Sequence, residues 1–157
     1  MIKKNALLSF AALLALGMTL TSCKDEENPT TTPTASTTTR LVATLNGASE
    51  KPTSTTSAAT GNFVGDLNTT TRVLSYTVTY TGPFSSSLTG GHLHRINAAN
   101  GTGPVDIPFT SLTSPITGTT AALAQTKVDS MLNGFYYANL HTSLYANGEI
   151  RGDIKKQ

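Results

Sequence analysis

Three histidines carry most of the chemistry this chain has to offer, and they fall in two short segments, Gly90-Gly91-His92-Leu93-His94 and Asn139-Leu140-His141-Thr142. In an extended strand alternate side chains share a face, so His92 and His94 project together with Cα atoms ~6.5–7 Å apart, a span at which two imidazoles converge on one ion. Leu93 then points the other way. In the second segment Tyr136, Ala138 and Leu140 form one face and Tyr137, Asn139 and His141 the other, which supplies a third imidazole wherever the two strands lie close together. Neutral imidazoles suit borderline ions such as Cu(II) and Zn(II), so His92, His94 and His141 are the candidate metal ligands. The fourth position falls to water or to a carboxylate such as Glu149. Glu149, Arg151 and Asp153 share one face of the last strand, and Glu149, Arg151 and Asn139 are candidates to support the rings from outside the ligand set. The competing expectation is structural: the histidines hydrogen-bond the backbone and each other to hold two strands together. For Asp153 the favoured expectation is a cross-strand ion pair on a solvated face.

The elements that must position these residues read as strands. Val73, Ser75, Thr77 and Thr79 alternate with Leu74, Tyr76, Val78 and Tyr80, the pattern of a half-buried antiparallel strand. Further strands are expected at Leu41–Leu45, Gly61–Leu67, Leu88–Ile96, Val105–Phe109, Gly118–Leu123, Phe135–Thr142 and Glu149–Lys155. Residues 67–72 look like one hairpin turn, and Asn147-Gly148 supplies another. The exception is Ala124–Leu132, where Leu123, Val128, Met131 and Leu132 approach helical spacing, with Thr126 and Asp129 able to cap the start and Asn133-Gly134 the stop. Seven or eight short strands and one short helix predict an all-β fold, an antiparallel β-sandwich with Greek-key-like connections.

Ahead of this domain the chain opens with Lys3 and Lys4 and an apolar run from Ala6 to Leu20, which has the form of a secretory leader and is short for a permanent membrane span. It ends in Leu20-Thr21-Ser22-Cys23, which resembles the lipobox of bacterial lipoproteins. Cys23 is the one cysteine, so no disulfide can form within the chain, and the expected role of its thiol is lipidation. The expected divisions are a signal peptide over 1–22, a lipidated Cys23 with a Thr/Pro-rich disordered tether over 23–39, and a single domain over 40–157. Lys24-Asp25-Glu26-Glu27 is similar to the surface-export signal of Bacteroidetes lipoproteins, with a plain solvated tether as the alternative. Stretched out, the tether reaches at most on the order of 55 Å from the lipid.

Lys3 and Lys4 leave with the leader, so the 11 basic residues become 9 against 9 acidic ones. A chain of zero formal charge has no electrostatic case for nucleic acid and no polybasic membrane patch. Membrane attachment then rests on the acyl chains, and the expected address is the cell envelope, as an outer-membrane lipoprotein that is exposed at the surface if the export signal acts.

Five segments then occur in order over residues 40–154: Leu41-Val42-Ala43-Thr44-Leu45-Asn46-Gly47-Ala48-Ser49-Glu50-Lys51-Pro52, Thr60-Gly61, His92-Leu93-His94, Phe135-Tyr136-Tyr137-Ala138-Asn139-Leu140-His141-Thr142 and Gly148-Glu149-Ile150-Arg151-Gly152. Together they resemble the successive signatures of the CHRD (chordin-type) domain. Departures at Lys51-Pro52 and Leu144-Tyr145-Ala146, where the family often carries a further proline, concern turns and leave the histidines untouched. The resemblance implies an extracellular domain named for repeats in an antagonist of bone morphogenetic proteins, although bacterial members have no such ligand. The expectation is a non-enzymatic binding module, with a structural or adhesive module as the alternative. A His-x-His pair on a β-sandwich strand is also similar to copper/zinc superoxide dismutase, but three histidines cannot build a dinuclear site, so an oxidoreductase reading is confined to a mononuclear copper centre. Arg151-Gly152-Asp153 lies in an expected strand instead of a presented loop, and Gly101-Thr102-Gly103-Pro104 lacks the helix and lysine of a phosphate loop.

Overall fold

The computed structural model describes residues 37–157, so the leader, Cys23 and the tether through residue 36 lie outside the described residues. Strand β1 (Thr38–Asn46) starts two residues ahead of the expected domain boundary, because Thr38 and Thr39 still pair with Asn68 and Leu67. It leads through a short 3-10 turn into β2 (Thr60–Asn68), β3 (Val73–Thr81), β4 (Leu88–Arg95), β5 (Val105–Pro108) and β6 (Ile116–Thr119). Helix α1 (Gln125–Leu132) then precedes β7 (Tyr136–Thr142), β8 (Ile150–Asp153) and β9 (Lys155–Lys156).

The fold is all-β and antiparallel with one short helix, as expected, and its layers are parts of one continuous sheet. Strand order is β5-β4-β7-β8-β1-β2-β3-β6, with β9 beside β1. Strand twist accumulates along such a sheet until it curls around its own apolar face. The two edges approach each other: the Tyr76 ring on β3 lies 5.4 Å from Phe109 just past β5, and Thr110 Oγ1 donates to the Thr117 carbonyl at 3.3 Å. Inside this half-barrel lie the residues that the period-two pattern points inward, among them Leu41, Leu45, Phe63, Leu67, Leu74, Val78, Leu93, Leu140 and Ile150, all fully buried.

Local chemistry explains where elements begin and end. The β2–β3 turn is closed by Asn68, whose Oδ1 accepts from the backbone N–H of Thr70 at 3.0 Å and of Thr71 at 2.8 Å. Strand β6 sits earlier than expected, since Ile116 is the buried residue that pairs with Val78, and the ladder ends at Thr119. The helix is not capped by Thr126 and Asp129. Its N-cap is Ala124 with no side-chain bond; the Ala124 carbonyl accepts from the N–H groups of Lys127 and Val128, and the preceding Leu123 N–H donates to the Arg72 carbonyl at 2.8 Å. The stop is as expected: with Gly134 at φ +77°, the Phe135 N–H reaches the Ser130 carbonyl and the Gly134 N–H that of Met131.

Glu149, placed just before β8, is fully buried and joins three segments. Its carboxylate accepts from Ser57 Oγ at 2.6 Å, from the Ser85 N–H at 2.8 Å and from Thr142 Oγ1 at 2.6 Å. Burial alone would raise its pKa, but these donors outweigh that effect and hold it below the ordinary carboxylate value. A depressed folded pKa contributes stability above the unfolded value of 4.5 that disappears as pH falls through the folded one. Glu149→Ala should cost about 3 kcal/mol or more in urea denaturation, since three donors lose their acceptor. Glu149→Gln should flatten the acid side of the wild-type stability profile below about pH 5. Phe63→Ala, which empties the middle of the core, should cost about 3–5 kcal/mol by the same measurement.

Candidate metal centre

Strands β4 and β7 are neighbours in the sheet, which brings the two histidine segments together. His92 faces Asn139, His94 faces Tyr137 and Gly90 faces His141. Leu93, Ala138 and Leu140 point into the core, and the histidines, Tyr137 and Asn139 share the opposite face. The Gly90-Gly91 pair makes this arrangement fit. Opposite His141, Gly90 has no side chain, and a Cβ there would lie 3.0 Å from His92 Cε1. At Gly91 a Cβ would stand 2.6 Å from the Phe109 ring and 2.8 Å from Leu140, so core packing under the site needs glycine.

The three rings form a triangle with centroids 5.6 Å apart for His92–His94, 5.1 Å for His92–His141 and 5.8 Å for His94–His141. His94 is buried, and His92 and His141 are half-buried. His94 Nδ1 lies 3.0 Å from the Gly103 carbonyl and His141 Nδ1 3.0 Å from the Ala146 carbonyl. A carbonyl only accepts, so both Nδ1 atoms carry the proton and donate, and Nε2 is the lone pair each ring has to offer. His92 Nδ1, His94 Nε2 and His141 Nε2 are buried without a hydrogen-bond partner. One ligand nitrogen from each ring lies within 4.8 Å of those from the other two. Bonds of ~2.0–2.1 Å to a tetrahedral ion bring nitrogens somewhat closer than this, so binding draws the rings inward.

All three rings are held neutral. Burial pushes the His94 pKa down to about 4; the Gly103 carbonyl opposes this, and His141, His92 and Arg151 reinforce it. Burial, then His141, lowers the pKa of His92, and burial lowers that of His141 against the pull of the Ala146 carbonyl. Neutral, desolvated imidazoles with an unused nitrogen are the donor set that a borderline divalent ion requires.

Of the three supporting residues expected, Arg151 reaches the site. Its guanidinium is fully buried, with Nη2 donating to Asp153 Oδ1 at 2.7 Å and to the Gly101 carbonyl at 2.8 Å. Its central carbon lies 3.5 Å from the centroid of the Tyr137 ring, and that ring stacks on His94 at 4.6 Å and 1°. Glu149 is held by Ser57, Ser85 and Thr142, and Asn139 Nδ2 donates to Glu50 Oε1 at 3.2 Å; neither hydrogen-bonds an imidazole. Asp153 does form ion pairs, with Arg151 two places along the same strand and with Lys51 at 3.8 Å. Sequence reasoning passed over Tyr137 as a stacking partner and over the carbonyls of Gly103 and Ala146. Tyr137 had a signal, since it shares a strand face with His141; a backbone carbonyl supplied by a loop has none.

No curated protein and no solved structure matches the chain. The family model described as the CHRD domain matches residues 41–154, a span that contains all three histidines, Tyr137, Arg151 and every strand from β2 to β8. The order of the signatures along the chain and this match agree: the chain belongs to the CHRD domain family.

Proposed function

We propose that this CHRD-domain protein is a non-enzymatic, lipid-anchored envelope protein that binds one transition-metal ion, Cu(II) or Zn(II), through His92, His94 and His141. The observation that carries the reading is the set of three buried imidazole nitrogens without a hydrogen-bond partner, set in a triangle of neutral rings. Leaving such groups unsatisfied is costly, and coordination satisfies all three at once. The envelope part of the reading rests on the leader and on Cys23. Among the described residues no helix is long and apolar enough to cross a membrane. In this reading attachment comes through the acylated cysteine.

One set of observations favours the structural alternative. His94 and His141 each tie a loop carbonyl to a strand, and His94 stacks on Tyr137, so the rings contribute to the fold with or without an ion. Calorimetric titration separates the readings. The full chain should take up one Zn(II) or Cu(II), and a His92→Gln/His94→Gln variant confirmed as folded by circular dichroism should not. Absence of stoichiometric binding, or equal binding by the folded variant, would return the histidines to the scaffold. Affinity should persist to lower pH than at an ordinary surface histidine site, since the rings hold their lone pairs free below the usual value of 6.5, and should then fall as protons compete. For the anchor, metabolic labelling with a fatty-acid analogue should mark the wild type and leave Cys23→Ser unlabelled, because a hydroxyl does not replace the thiol that accepts the lipid.

A further inference from the structure

Building on that metal reading, we infer that the loaded centre binds a small exchangeable anion directly on the ion, at the position the three imidazoles leave open. The folded domain brings no anion of its own to this place. Six side-chain carboxylates lie among the described residues, and none of them joins the cluster of candidate ligand atoms. Glu149 is held by Ser57, Ser85 and Thr142; Glu50 accepts from Asn139 through Oε1, and its Oε2 is buried without a partner. Asp153 pairs with Arg151, Asp106 with Lys127 and Tyr136, Asp66 with Arg40, and Asp129 with Gln125. Three neutral nitrogens therefore leave a divalent ion with its whole charge, in a setting where partial burial weakens screening by water.

The surroundings push in the same direction. Behind His94 the stack continues through Tyr137 to the Arg151 guanidinium, and Asp153 is shared between Arg151 and Lys51. Glu50 lies within electrostatic reach of Arg151 and Asp153 as well, so the group sets two cations against two acids, and burial raises the Glu50 pKa and so favours its neutral form. The other flank is the less covered one, since His92 and His141 are half-buried, although the ligand nitrogens themselves are buried. The ligand class is a small coordinating anion such as azide, halide or a simple carboxylate. Hydroxide is its natural competitor, since a metal-bound water ionises far more readily than bulk water.

Cobalt(II) provides the readout, because its visible absorption reports its ligands directly. The full chain loaded with one equivalent of Co(II) should change its visible spectrum saturably on addition of sodium azide, with one-to-one stoichiometry. Acetate should compete, and perchlorate at the same ionic strength should leave the spectrum unmoved. Raising the pH should weaken azide by about tenfold per unit once hydroxide holds the position. If Co(II) is not taken up in stoichiometric amount, the metal reading and this inference fall together. If Co(II) binds and azide leaves its spectrum unchanged, the anion site is refuted while the metal site stands. An equal azide response in a folded His92→Gln/His94→Gln variant would assign the effect to loosely held metal and overturn the inference.

Discussion

A fully buried guanidinium sets the terms for this site. Arginine keeps its charge at any accessible pH, so removal from water is tolerated only with close partners. Arg151 finds them in Asp153, in the Gly101 carbonyl and in the face of Tyr137. Each partner has a structural consequence. The bond to Gly101 pins the loop between β4 and β5, and two residues further on that loop presents the Gly103 carbonyl that orients His94. The contact with Tyr137 holds the ring on which His94 stacks. The geometry of one imidazole is thus fixed from two sides by a residue that never touches it.

This explains why β7 is buried on both faces although the sheet has only one apolar core. Ala138 and Leu140 face the interior of the half-barrel; Tyr137 and Asn139 lie beneath loops on the outside. The result is a second, polar layer under the segments that carry Glu50, Gly101 and Gly103 and next to the one that carries Ala146. Desolvation within that layer keeps the histidines neutral, and the Gly103 and Ala146 carbonyls leave Nε2 free on His94 and His141. Burial and tautomer choice are the two conditions a waiting imidazole ligand has to meet.

Membership of the CHRD family identifies the domain without assigning it a chemistry. Function has to be read from the site, because a β scaffold of this kind hosts unrelated activities. Here the ligand side chains stand on two interior, paired strands, while the carbonyls that orient two of them come from loops. That division suits a binding centre whose ligand atoms are preset and whose covering segments fine-tune them.

Much of this was legible in the residues themselves. Period-two alternation located the strands, since one face of each must leave water and the other need not, and it placed His92, His94 and His141 on faces that could meet. The Asn133-Gly134 stop and the Asn147-Gly148 turn followed from backbone conformations that glycine alone adopts without strain. Pairing was not legible. Which strand lies beside which depends on long-range hydrogen bonds, so the single curled sheet, with β4 against β7 and its edges meeting at Tyr76 and Phe109, emerged only from the folded chain. The same holds for Glu149, placed by its strand face near the histidines and drawn instead to three donors from distant segments. Strand periodicity is a local property that sequence by itself determines; the partners of a buried polar group are set by whichever segments arrive beside it, and only the tertiary structure decides that.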